Sequence, residues 1–256
     1  MILRSVREGR LLRLTLARPE KRNALNLELC RAIVDALTAA NDDPLVGAIL
    51  LEAEGKAFCA GMDLDDATAA DAPARTKIHE QLFTSAWWMN KPVVAAVQGP
   101  ALAGGLGLVA NAHIAVAAQG CTMGLTEVRL GLWPFVVYRS MVAAVGPRRA
   151  LEISLTGRIF GSNEAREYGL IHEVVPPIEL DDRATSLAEH LAGWSPDTMR
   201  RGLEFVRESG GMGREDAGRL AAMMRSENFA SADFAEGVKA FQEKRTPHWP
   251  SVVPQL

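Results

Sequence analysis

A chain of 256 residues, 48% hydrophobic and 23% charged, is long enough to bury a sizeable core and has the balance of an ordinary globular protein. Its net charge of −3, with no dense Lys/Arg block, argues against nucleic acid or an anionic membrane as main partner, and no apolar run reaches the ~18 residues of a membrane span. The start, MILRSVREG, has no signal-peptide layout, and Cys30, Cys59 and Cys121 show no C-x-x-C spacing, so a cytoplasmic location is expected, without disulfides or a structural zinc site.

Leu12, Leu14 and Leu16 alternate with polar residues and predict a half-buried strand. Arg18–Leu25 reads as a loop. Asn26 is a candidate N-cap for a helix with Leu29, Ile33 and Leu37 on one face, ended by Asn41-Asp42-Asp43-Pro44. Gly47–Ala53 reads as a fully buried strand, and strand, helix and strand in this order predict a right-handed parallel crossover. Gly55–Leu64 is a second loop. Asp65–Ala74, rich in Ala, Asp and Pro, is expected to be a mobile surface segment near a site entrance, or else a plain helix start. Ala74–Met89 predicts a helix with Ile78, Leu82, Ala86 and Met89 on one face. The five histidines, His79, His113, His172, His190 and His248, have no metal-ligand spacing and read as surface or structural residues.

The stretch Lys91–Pro134 organises the rest. Lys91–Val97 and His113–Ala118 read as buried strands, and Gln98-Gly99-Pro100 as a turn. Between them Ala103-Gly104-Gly105-Leu106-Gly107 leads into an apolar helical run to Ala112. Glu127 then stands in an otherwise apolar neighbourhood. Glycines at a helix start let a ligand approach the backbone, and the unpartnered N–H groups there can stabilise an oxygen that turns negative during reaction. The same glycines could equally serve only to pack a helix tightly on a sheet. Gly105-Leu106-Gly107-Leu108-Val109-Ala110 also fits a dinucleotide-binding pattern. Its first glycine comes too late after Val97, however, and the next strand ends without an acidic residue for a ribose.

After Ala150 the pattern shifts towards helix. Ser162 can cap a short helix ending at Gly169, Val174-Val175 closes a last strand, and Glu179–Leu191 is helical. Ser195-Pro196 is an N-cap followed by a proline at the first helical position. From there to Lys244 three helices are expected, broken at Ser209-Gly210-Gly211 and Ala230–Asp233. The division expected is a core over residues 1–194 and a helical region over residues 195–256. Met212, Met223, Met224, Phe229, Phe234 and Phe241 are expected in core or at an interface, with core the default.

Taken in order, Arg18-Pro19-Glu20-Lys21-Arg22-Asn23-Ala24-Leu25, Lys56-Ala57-Phe58-Cys59-Ala60-Gly61-Met62-Asp63-Leu64, the stretch from Lys91 to Ala118 and Phe241-Gln242-Glu243-Lys244-Arg245 resemble the crotonase superfamily of enoyl-CoA hydratases and isomerases. The resemblance covers nearly the whole chain and is specific for the superfamily, not for one reaction within it. It implies an α/β fold, a crotonase-like spiral of repeated ββα units with a C-terminal helical region that mediates a homotrimer or a hexamer of two trimers. It further implies an acyl-CoA thioester substrate, with no cofactor beyond the coenzyme A that the substrate carries. The thioester oxygen would be held by the N–H groups of Met62 and Gly104. Arg22, Ala24, Ala60, Asp63, Leu64, Gly105 and Gly107 would border coenzyme A or the acyl group, and Lys244 or Arg245 could reach a phosphate across a subunit contact.

Hydratases of this superfamily carry two glutamates. The first lies three residues after the oxyanion glycine, where this chain has Gly107. The second position holds Glu127. A single carboxylate can move a proton from C2 to C4 and so shift a double bond, and the following Gly131-Leu132-Trp133-Pro134-Phe135 resembles the isomerase branch. The favoured expectation is therefore conversion of a 3-enoyl-CoA to a 2-enoyl-CoA, with Glu127 as acid and base and Trp133, Phe135 and Val136 around the acyl chain. The alternatives are a hydratase or related enzyme that recruits a further group (Asp63, Asp65, Asp66 or Tyr138) and an acyl-CoA-binding protein without turnover. Gly107 would either open space for a bulkier acyl group or mark lost hydratase activity.

Overall fold

Leucines at every second position begin the architecture. In a computed structural model that describes residues 1–67 and 72–252, β1 (Leu3–Glu8) and β2 (Leu11–Leu16) form an antiparallel hairpin. β2 is buried almost throughout rather than half-buried, because β1 and β3 (Ala48–Ala53) flank it in the sheet and two helices pack on it. Parallel pairing continues through β4 (Val93–Val97), β6 (Ile114–Ala118) and β9 (Glu173–Val175), giving the order β1-β2-β3-β4-β6-β9. Strands buried on both faces read as continuous apolar runs, which is why β3, β4 and β6 stand out in the sequence. A smaller sheet joins β5 (Ala101–Leu102), β7 (Thr122–Gly124) and β8 (Phe160–Gly161) in the order β5-β7-β8.

Asn26 caps α1 (Leu27–Asp42) by accepting a hydrogen bond from the Leu29 N–H at 2.9 Å, and Leu29, Ile33 and Leu37 are buried along one face. A single turn, α2 (Leu64–Ala67), precedes residues 68–71, which lie outside the described residues together with that part of the expected mobile segment. The expected helix Ala74–Met89 is two helices, α3 (Ala72–Leu82) and α4 (Ser85–Trp88). The break has a cause far away in sequence. The Phe83 carbonyl, which a continuous helix would give to the Trp87 N–H, accepts instead from Ser140 Oγ at 2.6 Å, while Trp87 N–H turns to the Thr84 carbonyl.

The glycine-rich stretch becomes α5 (Gly104–Ala110). α6 (Phe135–Val145), α7 (Pro147–Thr156) and α8 (Ser162–Glu167) follow, and α9 (Leu180–Ala192) lays Ala184 and Ala188 close against the large sheet. Ser195 caps α10 (Pro196–Ser209) through the Thr198 N–H, and α11 (Arg214–Phe229) and α12 (Ala232–Glu243) complete the helical region. Here the core expectation is corrected. Met212, Met223, Phe229, Phe234 and Phe241 are exposed, Phe241 at 85%, and Met224 is only half-buried. The three helices pack mainly on one another and on the turn Pro250–Val252 and bury few of their own side chains; Asp233 and Ala240 of α12 are buried, and none of α10 or α11.

Candidate active site

Two backbone turns, one after β3 and one after β4, meet at the carboxyl ends of parallel strands, where open α/β sheets place their ligands. The first is built by the loop from Arg18 to Leu25. Asn23 locks that loop: its Oδ1 accepts from the Arg18 N–H at 2.9 Å, and its Nδ2 donates to the Glu54 and Ala57 carbonyls at 2.8 and 2.9 Å. The loop then pairs with the segment after β3, through Ala60 N–H to the Arg22 carbonyl, Leu25 N–H to the Gly61 carbonyl and Asp63 N–H to the Leu25 carbonyl. In this parallel bridge no backbone carbonyl among the described residues takes the Met62 N–H. On its other side the segment pairs with β5, by Leu102 N–H to the Cys59 carbonyl at 2.9 Å.

The second turn holds Ala103 at φ 50° and ψ −122°, a conformation that costs a non-glycine residue about 1–3 kcal/mol. Its N–H is fixed to the Gly124 carbonyl at 2.8 Å. Gly104 opens α5, so its N–H has no partner inside the helix. Gly61, at φ +95°, lets the turns touch: a Cβ there would lie 2.7 Å from Ala103 Cβ and 3.4 Å from the Gly104 nitrogen. Met62 and Gly104 both line one cavity of about 200 Å³.

Glu127 lines the same cavity from the start of a short 3₁₀ turn, Glu127–Leu130, after β7. Its residue is 8% exposed, and Oε2 has no hydrogen-bond partner among the described residues. Burial pushes the carboxyl above its ordinary range, towards the working range of a general acid–base group. Leu132, Trp133, Phe135 and Val136 make the neighbouring wall apolar, although Phe135 is 72% exposed at the mouth.

The other expected residues distribute as follows. Ala24 and Ala60 lie half-buried on the paired loops, with Arg22 exposed beside them and without an ion-pair partner among the described residues. Leu64 is exposed. Asp63 does not stand free for a ligand: its carboxylate pairs with Arg18 at 2.9 Å, both side chains nearly buried, and fixes the two loops together. Gly105 faces protein rather than a ligand, since a Cβ there would lie 2.2 Å from the Cys59 carbonyl oxygen. Beside Gly107 there is no open space either: a Cβ would lie 2.8 Å from both Cδ1 and Cε1 of Phe83 and 2.9 Å from Val137 Cγ2. Lys244 is exposed at the end of α12, and no residue of that helix lines the cavity of its own chain. Arg245 is engaged by Glu236 and Glu243.

None of the four groups considered for a second polar role lines the cavity. Asp63 pairs with Arg18, Asp65 with Lys21 at 2.8 Å, and Asp66 accepts from the Leu27 N–H at 3.0 Å. Tyr138 leans on Trp133, with ring centroids 6.0 Å apart. Among the lining residues, His79 and Phe83 come from a segment to which the sequence reading gave no part in the site. Their signal was the spacing of four on a helix, which places both on one face.

The chain is similar to known proteins over nearly its whole length. The family model described as enoyl-CoA hydratase/isomerase matches residues 7–252. A Thermus thermophilus protein named provisionally as an enoyl-CoA hydratase is 36% identical over 237 residues, covering 90% of this chain and 94% of its own. The enoyl-CoA hydratase EchA19 of Mycobacterium tuberculosis is 32% identical over 254 residues, covering 95% of this chain and 94% of its own. The crystal structure of an enoyl-CoA hydratase from Mycobacterium smegmatis superposes with a TM-score of 0.91 at 29% identity, over 97% of this chain and 99% of that one. The two sheets and C-terminal helices are the crotonase fold, and the chain belongs to the enoyl-CoA hydratase/isomerase family.

Proposed function

We propose that the protein adds water across the double bond of a 2-enoyl-CoA, with the thioester oxygen held by the Met62 and Gly104 N–H groups and Glu127 as the one carboxylate that lines the cavity among the described residues. The observation that carries this reading is the buried, unpartnered Oε2 of Glu127 in the same small cavity as the two turns. Glu127 takes a proton from water as the oxygen bonds to C3. The electron pair moves onto the thioester oxygen, where each fixed donor is typically worth about 3–4 kcal/mol. The enolate then collapses and takes the proton at C2 from Glu127. Coenzyme A would lie along Arg22, Ala24, Ala60 and Leu64. In a homotrimer or hexamer built on the exposed apolar residues of α11 and α12, Lys244 would reach the phosphates of a neighbouring subunit.

Hydration takes precedence over the double-bond shift favoured by the sequence because the relatives compared are named hydratases, not isomerases. The shift stays as a second reading on one observation. Phe83 and Val137 occupy the space beside Gly107, and among the described residues the cavity has a single carboxylate, which is enough to carry a proton between C2 and C4. Purified protein given a 2-enoyl-CoA and a 3-enoyl-CoA side by side decides between them. Loss of conjugated-thioester absorbance from the first, with a product heavier by one water, supports hydration. Gain of conjugation from the second, with no water added to the first, would replace it by isomerisation. Coenzyme A thioester binding without turnover of either, unchanged in Glu127→Gln, would make the protein a binder.

A further inference from the structure

We infer that His79 is the second functional group of the cavity and holds the water that Glu127 activates; this rests on the hydration reading above. Water addition needs its nucleophile oriented as well as deprotonated, and one carboxylate fixes a water by one side only. Among the described residues lining the cavity, Glu127 and His79 are the two that titrate; the other described residues are apolar or glycine. No hydrogen bond to either ring nitrogen of His79 forms among the described residues.

The placement follows from the closure at Gly107. Phe83 lies across α5, with Cζ at 3.2 Å from a Cβ built on Gly104 and its ring edge against Gly107. Its N–H donates to the His79 carbonyl at 2.9 Å, and the two rings are tilted by 58° with centroids 6.0 Å apart. The residue that seals the wall where a carboxylate could have entered therefore sets the imidazole beside it, on the same face of α3. Burial and the nearby Arg75 lower the imidazole pKa, with Asp66 acting in the opposite sense, which favours the neutral form. A neutral imidazole offers one donor and one acceptor, which suits a water that must keep its oxygen lone pair for C3 and give its proton elsewhere. In the step itself the water O–H bond breaks towards Glu127 and the oxygen bonds to C3. The proton returns from Glu127 to C2, and His79 ends as it began.

The test separates water addition from enolate formation. Exchange of the C2 hydrogens of butyryl-CoA for deuterium from heavy water needs Glu127 and the oxyanion donors but no added nucleophile. His79→Phe keeps ring volume against Phe83 and removes the polar atoms; His79→Gln keeps a donor and an acceptor. In His79→Phe, kcat for hydration of a short 2-enoyl-CoA is expected to fall on the order of 100-fold, as for a misplaced reactant. Deuterium exchange should stay near the parent rate, and His79→Gln should recover part of the hydration. Equal loss of hydration and exchange in His79→Phe, full hydration in His79→Phe, or no recovery in His79→Gln would each overturn the inference. A parent protein that exchanges C2 hydrogens yet adds no water would instead sink the hydration reading, whatever His79 does.

Discussion

Replacing Gly107 by alanine asks whether the space beside α5 is closed. The new Cβ would lie 2.8 Å from two carbons of the Phe83 ring and 2.9 Å from Val137 Cγ2. Non-bonded carbons are best placed at ~3.5–4.0 Å, so each contact is too short by roughly 0.6 Å or more. Both neighbours are buried, and the ring is also seated against Gly104. Overpacking of this kind costs about 1–3 kcal/mol. Alanine gains about 1 kcal/mol over glycine as a helix former. The balance is a net loss of about 1 kcal/mol. Phe83→Ala alone opens a cavity and costs about 3–5 kcal/mol. In the double variant the alanine at 107 meets no ring, though its contact with Val137 Cγ2 stays. The double should therefore be less destabilised than the sum of the singles by about 1 kcal/mol, within the range for residues in contact. Urea unfolding of the four proteins at one protein concentration measures this. Additive effects, or a Gly107→Ala variant more stable than its parent, would refute the packing argument.

Glu127→Gln should cost about 10²–10⁴ in turnover, as expected on losing an acid–base group, with the fold intact by circular dichroism. It should also melt higher than the parent at pH 8. Burial raises the carboxyl pKa, so the charged form costs stability once pH rises past the unfolded value of about 4.3; below that both states are protonated and the advantage should vanish. Gly61→Ala puts a side chain at φ +95° and 2.7 Å from Ala103 Cβ, so turnover should collapse more than stability; parent-like kinetics would show that the two turns need not touch. Asp63→Ala leaves the Arg18 guanidinium nearly buried without its carboxylate, at a cost of about 3–5 kcal/mol, read as a lowered urea midpoint. A midpoint unchanged from the parent would mean that the pair does not hold the loops.

What could be read from the sequence was what local pattern encodes. The strands β3, β4 and β6, the Asn26 and Ser195 caps and the breaks between α10, α11 and α12 all carry their signals within a few residues. β1 did not, since it is an edge strand with one buried residue, Leu3, and so shows no alternation. β5, β7 and β8 are two or three residues long, too short for any periodicity. The break between α3 and α4 depends on Ser140, which is 57 residues away. The same divide runs through the site. Glu127 and the glycines were legible from their order along the chain. That Phe83 fills the space at Gly107, that His79 faces the cavity, and that Arg18 claims Asp63 are contacts between distant segments, on which spacing is silent.

The two candidate donors for the thioester oxygen are peptide N–H groups, aimed by hydrogen bonds from the Leu25 and Gly124 segments. At either position only proline removes the N–H; every other replacement leaves it in place. The proposed acid, by contrast, resides in one replaceable side chain. Such a division makes the scaffold tolerant of evolutionary drift in one half of its chemistry. A lineage can lose, move or regain carboxylates around the cradle through single codon changes, while the cradle persists and keeps each intermediate form able to bind and polarise a thioester.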